Sequence, residues 1–334
     1  PLSILDLVPV LKDKSAADSF KNSLDLAQHA ERFGYQRYWM AEHHNMAGIA
    51  SSATSVLIGF IAGGTSHIRV GSGGIMLPNH APLVIAEQFG TLESLYPGRI
   101  DLGLGRAPGT DQMTAMALRR NIEGAGEDFA QNLAELRAYL SADNAGSRVR
   151  AVPGEGLDIP IWLLGSSTYS AQLAGLLGLP FAFASHFAPN LLHTALQVYR
   201  DSFKPSNSLK QPYIMAGINV VAADTDVEAE YLATSLYTAF LNVITGKRTT
   251  LQPPVNDMAT VWNEAERYAV RQMLKYTFVG SAETIKPHMQ AFADSTGVNE
   301  IMVASQIFDH RARVHSYEIV SGLCLQKNQT YLRA

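Results

Sequence analysis

The chain has 334 residues, 47% of them hydrophobic, which is enough apolar material for a large core. Its formal net charge is −4 at pH 7, and the 26 basic side chains are scattered along the sequence. This pattern lacks the concentrated positive charge that nucleic acid or anionic lipid requires, so we expect a small-molecule partner, with no nucleic acid and no membrane.

Two further features indicate a cytoplasmic enzyme. The longest apolar stretch, roughly residues 52–64, is interrupted by glycine and is too short to span a bilayer, and no basic leader precedes the first apolar run. The single cysteine, Cys324, cannot form an internal disulfide bond. We interpret it as a structural thiol within the last helical pattern.

In the first half of the chain, strand and helix patterns alternate. Residues 2–8, 38–41, 68–70 and 100–104 have the β-branched and aromatic content of strands. Between them, apolar spacing predicts one helix from Ser15 or Asp13 to Gly34, one through 56–61 and one around 85–95. The first helix is expected to bury Ala17, Phe20, Leu24, Ala27 and Phe33.

The second half repeats this alternation, with strands predicted at 159–164, 180–184, 213–222 and 300–304, each followed by a helical pattern. Eight βα units favour a closed (β/α)8 TIM barrel over an open sheet, since strand eight can pair with strand one. We therefore expect residues 1–334 to form a single domain. The intervals 107–158 and 224–299 are too long for ordinary connections, and we expect insertions on the barrel rim that wall the site or form a subunit contact.

Three titratable residues, Glu42, His43 and His44, directly follow the second predicted strand. The carboxyl ends of barrel strands carry the active site, so this position favours catalysis. Neighbouring residues of a strand point to opposite faces, so we expect only one of the two histidines to face inward. The alternative is that Glu42 and one histidine satisfy backbone groups at the rim. Metal binding is disfavoured, because the usual zinc-ligand spacings are absent.

Glycines interrupt the third strand at its exit, in the sequence Gly71-Ser72-Gly73-Gly74. Glycine permits backbone conformations closed to other residues and lets a flat ligand approach the main chain closely. A bulge at a barrel corner explains the same residues equally well.

Arg106 follows the fourth predicted strand, and the sequence from Gly165 to Ser170 follows the fifth and enters a helix at 171–177. Free N–H groups and hydroxyls at a helix start bind phosphate, and Arg106 would complete a two-sided clamp. A solvated arginine and ordinary N-capping by serine are the alternatives. The glycine spacing around Arg106 departs from Gly-x-Gly-x-x-Gly, so a dinucleotide turn is disfavoured.

Taken together, four motifs resemble the bacterial luciferase-like flavin monooxygenase family over nearly the whole chain. They are Glu42-His43-His44, residues 73–78 (Gly-Gly-Ile-Met-Leu-Pro), residues 97–106 from Pro97 to Arg106, and Gly165-Ser166-Ser167.

The resemblance implies a (β/α) barrel that binds reduced FMN delivered by a separate flavin reductase and reacts it with O2 to give a flavin hydroperoxide, which oxygenates a small organic substrate. By position, His43 would be the catalytic histidine, assisted by Glu42 and His44. The phosphate would be held by a set of residues around the clamp: Arg106, Gly165, Ser166, Ser167, Tyr169 and Ser170. The resemblance further implies a cis peptide at Gly73-Gly74 beside the flavin ring, and a homodimer.

One departure limits the comparison. Luciferases that emit light have a cysteine just before the phosphate arginine, whereas this chain has Gly105. Luminescence and a long-chain aldehyde substrate are therefore not expected. Three alternatives remain open: a deazaflavin-dependent oxidoreductase of the same superfamily, a non-catalytic flavin-binding protein, and a metal-dependent hydrolase that uses Glu42, the histidines and Asp101.

Overall fold

Eight parallel strands close into a barrel in the computed structural model, which describes residues 1–107, 111–118 and 128–325. The strands of the described chain are β1 (Leu2–Asp6), β2 (Arg37–Met40), β3 (Arg69–Ser72), β4 (Ile75–Met76), β5 (Ile100–Gly105), β6 (Ile161–Gly165), β7 (Phe181–Phe183), β8 (Ile214–Ala222), β9 (Thr277–Gly280) and β10 (Glu300–Ala304). The ring runs β1, β2, β3, β5, β6, β7, β8 and β10, and β10 pairs with β1 to close it. The predicted (β/α)8 barrel is confirmed.

Helices connect the strands and surround the barrel. They are α1 (Ala16–Arg32), α2 (Thr54–Gly63), α3 (Pro82–Leu95), α4 (Gln112–Leu118), α5 (Phe129–Leu140), α6 (Thr168–Leu177), α7 (Leu192–Ser202), α8 (Asp226–Ile244), α9 (Glu264–Met273), α10 (Ala282–Thr296) and α11 (His310–Ser321). None of these helices is long and apolar enough to cross a membrane, within the part of the chain that was searched.

The strands alternate between two cores, as a pleated sheet requires. One face packs against the helices, while the other fills the barrel with a smaller cluster: Leu5, Trp39, Ala41, Trp162, Ala182, Met215, Met302 and Ala304. Below this cluster, Arg37 reaches both Asp101 (Nη1 to Oδ2, 2.7 Å) and Glu300 (Nε to Oε1, 3.1 Å). These three charges are therefore paired at the amino end of the barrel, away from the carboxyl end where the site of this fold lies.

The long intervals contain helices, as predicted, but the second also contains a strand that the sequence analysis missed. β9 pairs with β8 beyond the point where β10 ends, so it extends the sheet outside the ring of eight. β4 was also missed, because its two residues are too few to give a strand pattern. The parts of the first interval at 108–110 and 119–127 lie outside the described residues.

Two predictions of detail were wrong. Ala17 of α1 is exposed, and the buried face of that helix consists of Ser19, Ser23, Leu26, Ala27 and Ala30. The serines face inward because Ser19 donates to the carbonyl of Pro9 and Ser23 to the carboxylate of Asp6. Cys324 lies beyond the end of α11 and is exposed, so it does not pack in a helix.

Candidate active site

His43 and His44 have separate environments at the exit of β2. Trp39 and Ala41 belong to the barrel interior, and His43 continues that alternation toward the mouth. The Nδ1 atom of His43 is buried and has no hydrogen-bond partner in the described structure. Burial lowers the pKa of His43, so the imidazole is neutral near pH 7. His44 instead turns to Glu42, with 2.7 Å between Nε2 and Oε1.

Glu42 is 1% exposed and ties two strand exits together. Its carboxylate accepts hydrogen bonds from the Met76 N–H (2.9 Å) and from Nδ2 of Asn79 (3.2 Å), and it lies 2.9 Å from Nε2 of His80. Burial alone would raise the pKa of Glu42, but the contacts with His80, His44 and Met76 outweigh it and lower the pKa. Glu42 is therefore ionised. We call its hydrogen bonds to the residues of β4 and the following turn the Glu42 tether; they lie beside the mouth of the barrel.

Asn79 and His80 were not assigned a role from the sequence. They follow Pro78 in the short turn after β4, and only their position after a glycine-broken strand could have indicated them.

Gly73 and Gly74 are joined by a cis peptide bond, as the family resemblance implied. A Cβ atom on Gly73 would lie 2.8 Å from Cδ1 of Leu5, and one on Gly74 would lie 2.7 Å from the carbonyl oxygen of Gly103. The backbone of Gly103 therefore already requires glycine at position 74, whereas a Cβ atom at position 73 would force the Leu5 side chain to shift. The Glu42 N–H also donates to the Gly74 carbonyl (3.2 Å), which joins this turn to the tether.

The two halves of the predicted phosphate clamp lie together. The Arg106 guanidinium stands over the Tyr169 ring, 4.4 Å from its centroid, at the start of α6. Ser167 is the N-cap of α6, yet its side chain makes no capping hydrogen bond, so ordinary N-capping does not account for this hydroxyl. The residues that precede the helix, Gly165, Ser166 and Ser167, are partly exposed, whereas Ser170 is buried.

His186 and Asn219 form the opposite wall of the mouth, and the sequence analysis missed both. His186 follows β7, and its Nδ1 lies 2.5 Å from where a Cβ of Gly217 would be. Nδ1 of His186 and Oδ1 of Asn219 are buried without a hydrogen-bond partner in the described chain. Burial, together with the nearby His43, lowers the pKa of His186 to about 4. Asn219 could have been found from the sequence, because it is a polar residue at an inward-facing position of the otherwise apolar strand β8.

Among the described residues, the acidic and histidine side chains are not grouped as a metal centre. Asp101 pairs with Arg37 and Arg69 inside the barrel. Across residues 1–107, 111–118 and 128–325, no group of three His, Cys, Asp or Glu side chains is placed to hold a metal ion. The hydrolase alternative thus gains no support from the described residues.

A (β/α)8 barrel with uncharged imidazoles, unpaired buried polar atoms and a cation at a helix start, all at its carboxyl-end mouth, has the layout of an enzyme of that fold. The family model for luciferase-like monooxygenases matches residues 2–318. The chain therefore belongs to the luciferase-like monooxygenase family and is an oxidoreductase.

Similar sequences span almost the whole chain. YvbT of Bacillus subtilis, described as uncharacterized, is 58% identical over 323 residues, 96% of each chain. A luciferase-like monooxygenase of Escherichia coli is 55% identical over 317 residues, 95% of each. The N-acetyl-S-alkylcysteine monooxygenase of Bacillus subtilis is 32% identical and covers 97% of this chain and 98% of its own.

Solved structures share the fold. Apo-MsnO8 is 35% identical, with a TM-score of 0.86 over 98% of this chain and 99% of its own. The oxygenating constituent of 3,6-diketocamphane monooxygenase in complex with FMN is 17% identical (TM-score 0.73), with 97% of each chain covered. An F420-dependent secondary alcohol dehydrogenase is 14% identical (TM-score 0.69), with 95% and 96% covered. At these two identities the likeness shows the fold alone.

Proposed function

We propose that this protein is a monooxygenase that takes reduced FMN from a separate flavin reductase and uses O2 to oxygenate a small organic substrate. The observation that carries the proposal is the pairing of Arg106 with Tyr169 at the start of α6, on the same rim as the neutral His43, whose buried Nδ1 has no hydrogen-bond partner among the described residues. The Arg106–Tyr169 pair fits the anionic tail of a ligand. The uncharged His43 fits a planar ring that carries no charged group.

The residues present fit FMN in chemical type. Arg106 would bind the phosphate, with the N–H groups of the first turn of α6 and the hydroxyls of Ser166, Ser167 and Ser170. Tyr169 would hold the guanidinium in place through its ring. Gly165 lies against Ser170, since a Cβ there would come within 2.9 Å of the Ser170 Cβ, and it keeps this turn close to the helix.

Reduced FMN, when bound, supplies the electrons and the site of oxygen activation. His43 would accept or donate a proton at its free Nδ1, a task that suits an uncharged imidazole in a dry site. Glu42 and His44 would act with it by holding the β2 exit and the Gly73-Gly74 turn in register. The mouth would exclude water from the reacting atoms.

A second candidate is an oxidoreductase that uses the deazaflavin F420 for hydride transfer. The observation that favours this candidate is the fold that the chain shares with an F420-dependent secondary alcohol dehydrogenase. F420 carries a longer anionic tail than FMN, so the two cofactors make different demands on the surface beyond Arg106.

Anaerobic titration with reduced FMN, followed by mixing with O2, tests the proposal. We expect saturable binding of reduced FMN and, in the presence of thioethers, one oxygen atom in the product for each flavin oxidised. Thioethers are chosen because a relative is named for an S-alkylcysteine substrate. Binding of reduced F420 without binding of reduced FMN would favour the second candidate, and flavin binding without product would contradict oxygenation.

A further inference from the structure

The wall formed by His186 and Asn219 lies opposite the part of the mouth where His43 and the Gly73-Gly74 turn would contact the flavin ring. In the closed ring, β8 lies four strands from β3 in both directions, and β7 lies four strands from β2. Asn219 therefore stands across the mouth from Gly73-Gly74, and His186 stands across from His43. Asn219 is only 1% exposed, so this amide is a built part of the site rather than a solvated surface group.

The orientation of the Asn219 amide is fixed by its neighbours. Its Nδ2 donates to the backbone carbonyl of His186 and to the Thr277 hydroxyl, with 3.2 Å to Oγ1. A carbonyl oxygen can only accept, so the nitrogen must lie on that side and Oδ1 must face away from it. Oδ1 is left as a buried acceptor with no partner among the described residues, which is costly unless a ligand supplies a donor.

The second atom on this wall is Nδ1 of His186, also buried and unpaired. The imidazole is uncharged near pH 7, so it offers no positive charge to an anionic substrate group. A carboxylate placed here would meet an acceptor oxygen and a neutral ring. A neutral group with an N–H or O–H would satisfy the acceptor without burying a charge.

We propose that Asn219, assisted by His186, selects substrates that carry an uncharged hydrogen-bond donor, such as an amide N–H or a hydroxyl, and binds that donor opposite the flavin. This inference rests on the proposed function and adds a substrate class to it. A site built to accept a hydrogen bond discriminates strongly against an analogue that lacks the donor, because its own polar atom is then left unpaired.

The test uses two thioethers that differ at one atom: the methyl ester of N-acetyl-S-methylcysteine, and its analogue in which the amide N–H is replaced by an ester oxygen. Affinity is measured by calorimetry on the protein with and without FMN, and KM is measured in the oxygenation assay. We expect the wild-type protein to favour the amide by about tenfold in both measurements. Asn219→Ala should abolish this preference, because it should weaken binding of the amide compound and leave binding of the ester analogue unchanged.

Thr277→Val is the matched variant, because it removes a partner of Nδ2 and leaves Oδ1 in place. It should retain the preference for the amide. Equal affinity of the wild-type protein for the two compounds, failure of every amide tested to bind, or an Asn219→Ala variant that keeps the preference would each overturn the inference. The two proposals can fail independently. If the proposed function is wrong, no oxygenated product forms, but the difference in affinity between the two compounds can still be measured by calorimetry.

Discussion

His43 and His186 are uncharged imidazoles that face each other across the mouth. Burial withholds water from the charged form of each ring and lowers both pKa values, and the nearby His43 further lowers the pKa of His186. Two bases held neutral in one cavity can move a proton without placing a permanent charge beside a bound ring.

Replacement of His43 by Ala tests its catalytic role. We expect the rate of substrate oxygenation to fall by about a hundredfold, since positioned general acid–base groups contribute on that scale. Affinity for reduced FMN should change little, because the phosphate contacts remain. Product formed and flavin oxidised are measured in the same stopped-flow and quench experiment.

His67→Ala is the control, since His67 is exposed at the amino end of β3, away from the mouth. Turnover by the His43 variant equal to that of the control would remove His43 from the mechanism.

Replacement of Arg106 by Ala tests the clamp. The dissociation constant for FMN should rise about tenfold to a hundredfold, because a charge-assisted contact to phosphate is lost. Affinity for riboflavin, which has no phosphate, should not change. Arg148→Ala removes an exposed arginine from elsewhere on the surface and is the matched control. An equal loss of affinity for FMN and riboflavin would place the phosphate away from Arg106.

Among the elements, the exits of β2 and β4 depend on one another through Glu42. The Glu42 carboxylate accepts from the Met76 N–H in β4 and from Asn79 in the turn that follows, and the Glu42 backbone N–H donates to the Gly74 carbonyl. A residue that the sequence indicates as catalytic therefore also holds the Gly73-Gly74 turn in place.

Glu42→Gln tests this connection. The amide keeps one oxygen but places an NH2 group at the other position, against the donor of either Met76 or Asn79, and it removes the negative charge beside His44 and His80. The free energy of unfolding should therefore fall by about 2 to 4 kcal/mol. Urea denaturation at pH 7 measures the change. Glu283→Gln, on the exposed face of α10, is the control and should be nearly neutral. Unchanged stability of the Glu42 variant would show that the tether does not hold the two exits.

The sequence predicted the eight barrel strands because each has a β-branched or aromatic run followed by an amphipathic helix. It missed β4 and β9, since the first has only two residues and the second pairs outside the ring. In the site, Arg106 and the serines were predicted from position at strand exits. The partnership of Arg106 with Tyr169 and the buried environment of Asn219 depend on contacts between distant strands, which a single sequence does not display.

At the scale of the whole molecule, an apolar strip on α2 and α3 is left uncovered. Val56 and Phe60 on α2 are 70% and 45% exposed, and Val84 and Leu95 on α3 are 42% and 63% exposed. The Tyr96 hydroxyl donates to the Gly59 carbonyl (3.1 Å) and fixes the two helices side by side. Exposed apolar side chains on two adjacent helices favour association, which supports the homodimer that the family resemblance implies.

Phe60→Glu should therefore convert a dimer into a monomer of 36.3 kDa, because the charge would be buried unpaired in the interface. Light scattering during size-exclusion chromatography measures the mass. Val227→Glu, at an 83% exposed position on α8, should leave the mass of the dimer unchanged. A wild-type protein that elutes as a monomer at micromolar concentration would contradict the proposal.

The neutral histidines should also make the whole protein sensitive to acid. The pKa of His186 is about 4 in the folded state, against about 6.5 in an unfolded chain, so the unfolded state binds more protons between these values. The contribution to stability is complete above pH 7 and is lost as the pH falls toward 4. Between pH 8 and pH 5, wild type should lose about 2 kcal/mol more than His186→Gln in urea denaturation.

His315 provides a control of opposite sign for this acid dependence. Hydrogen bonds to Asp224 and Glu318 raise its pKa, so its contribution to stability is present at low pH and is lost as the pH rises through that value. His315→Gln should therefore steepen the loss of stability on acidification, whereas His186→Gln makes it shallower. Parallel curves for wild type and His186→Gln would mean that His186 titrates normally in the folded protein, and that the mouth is wetter than its burial indicates.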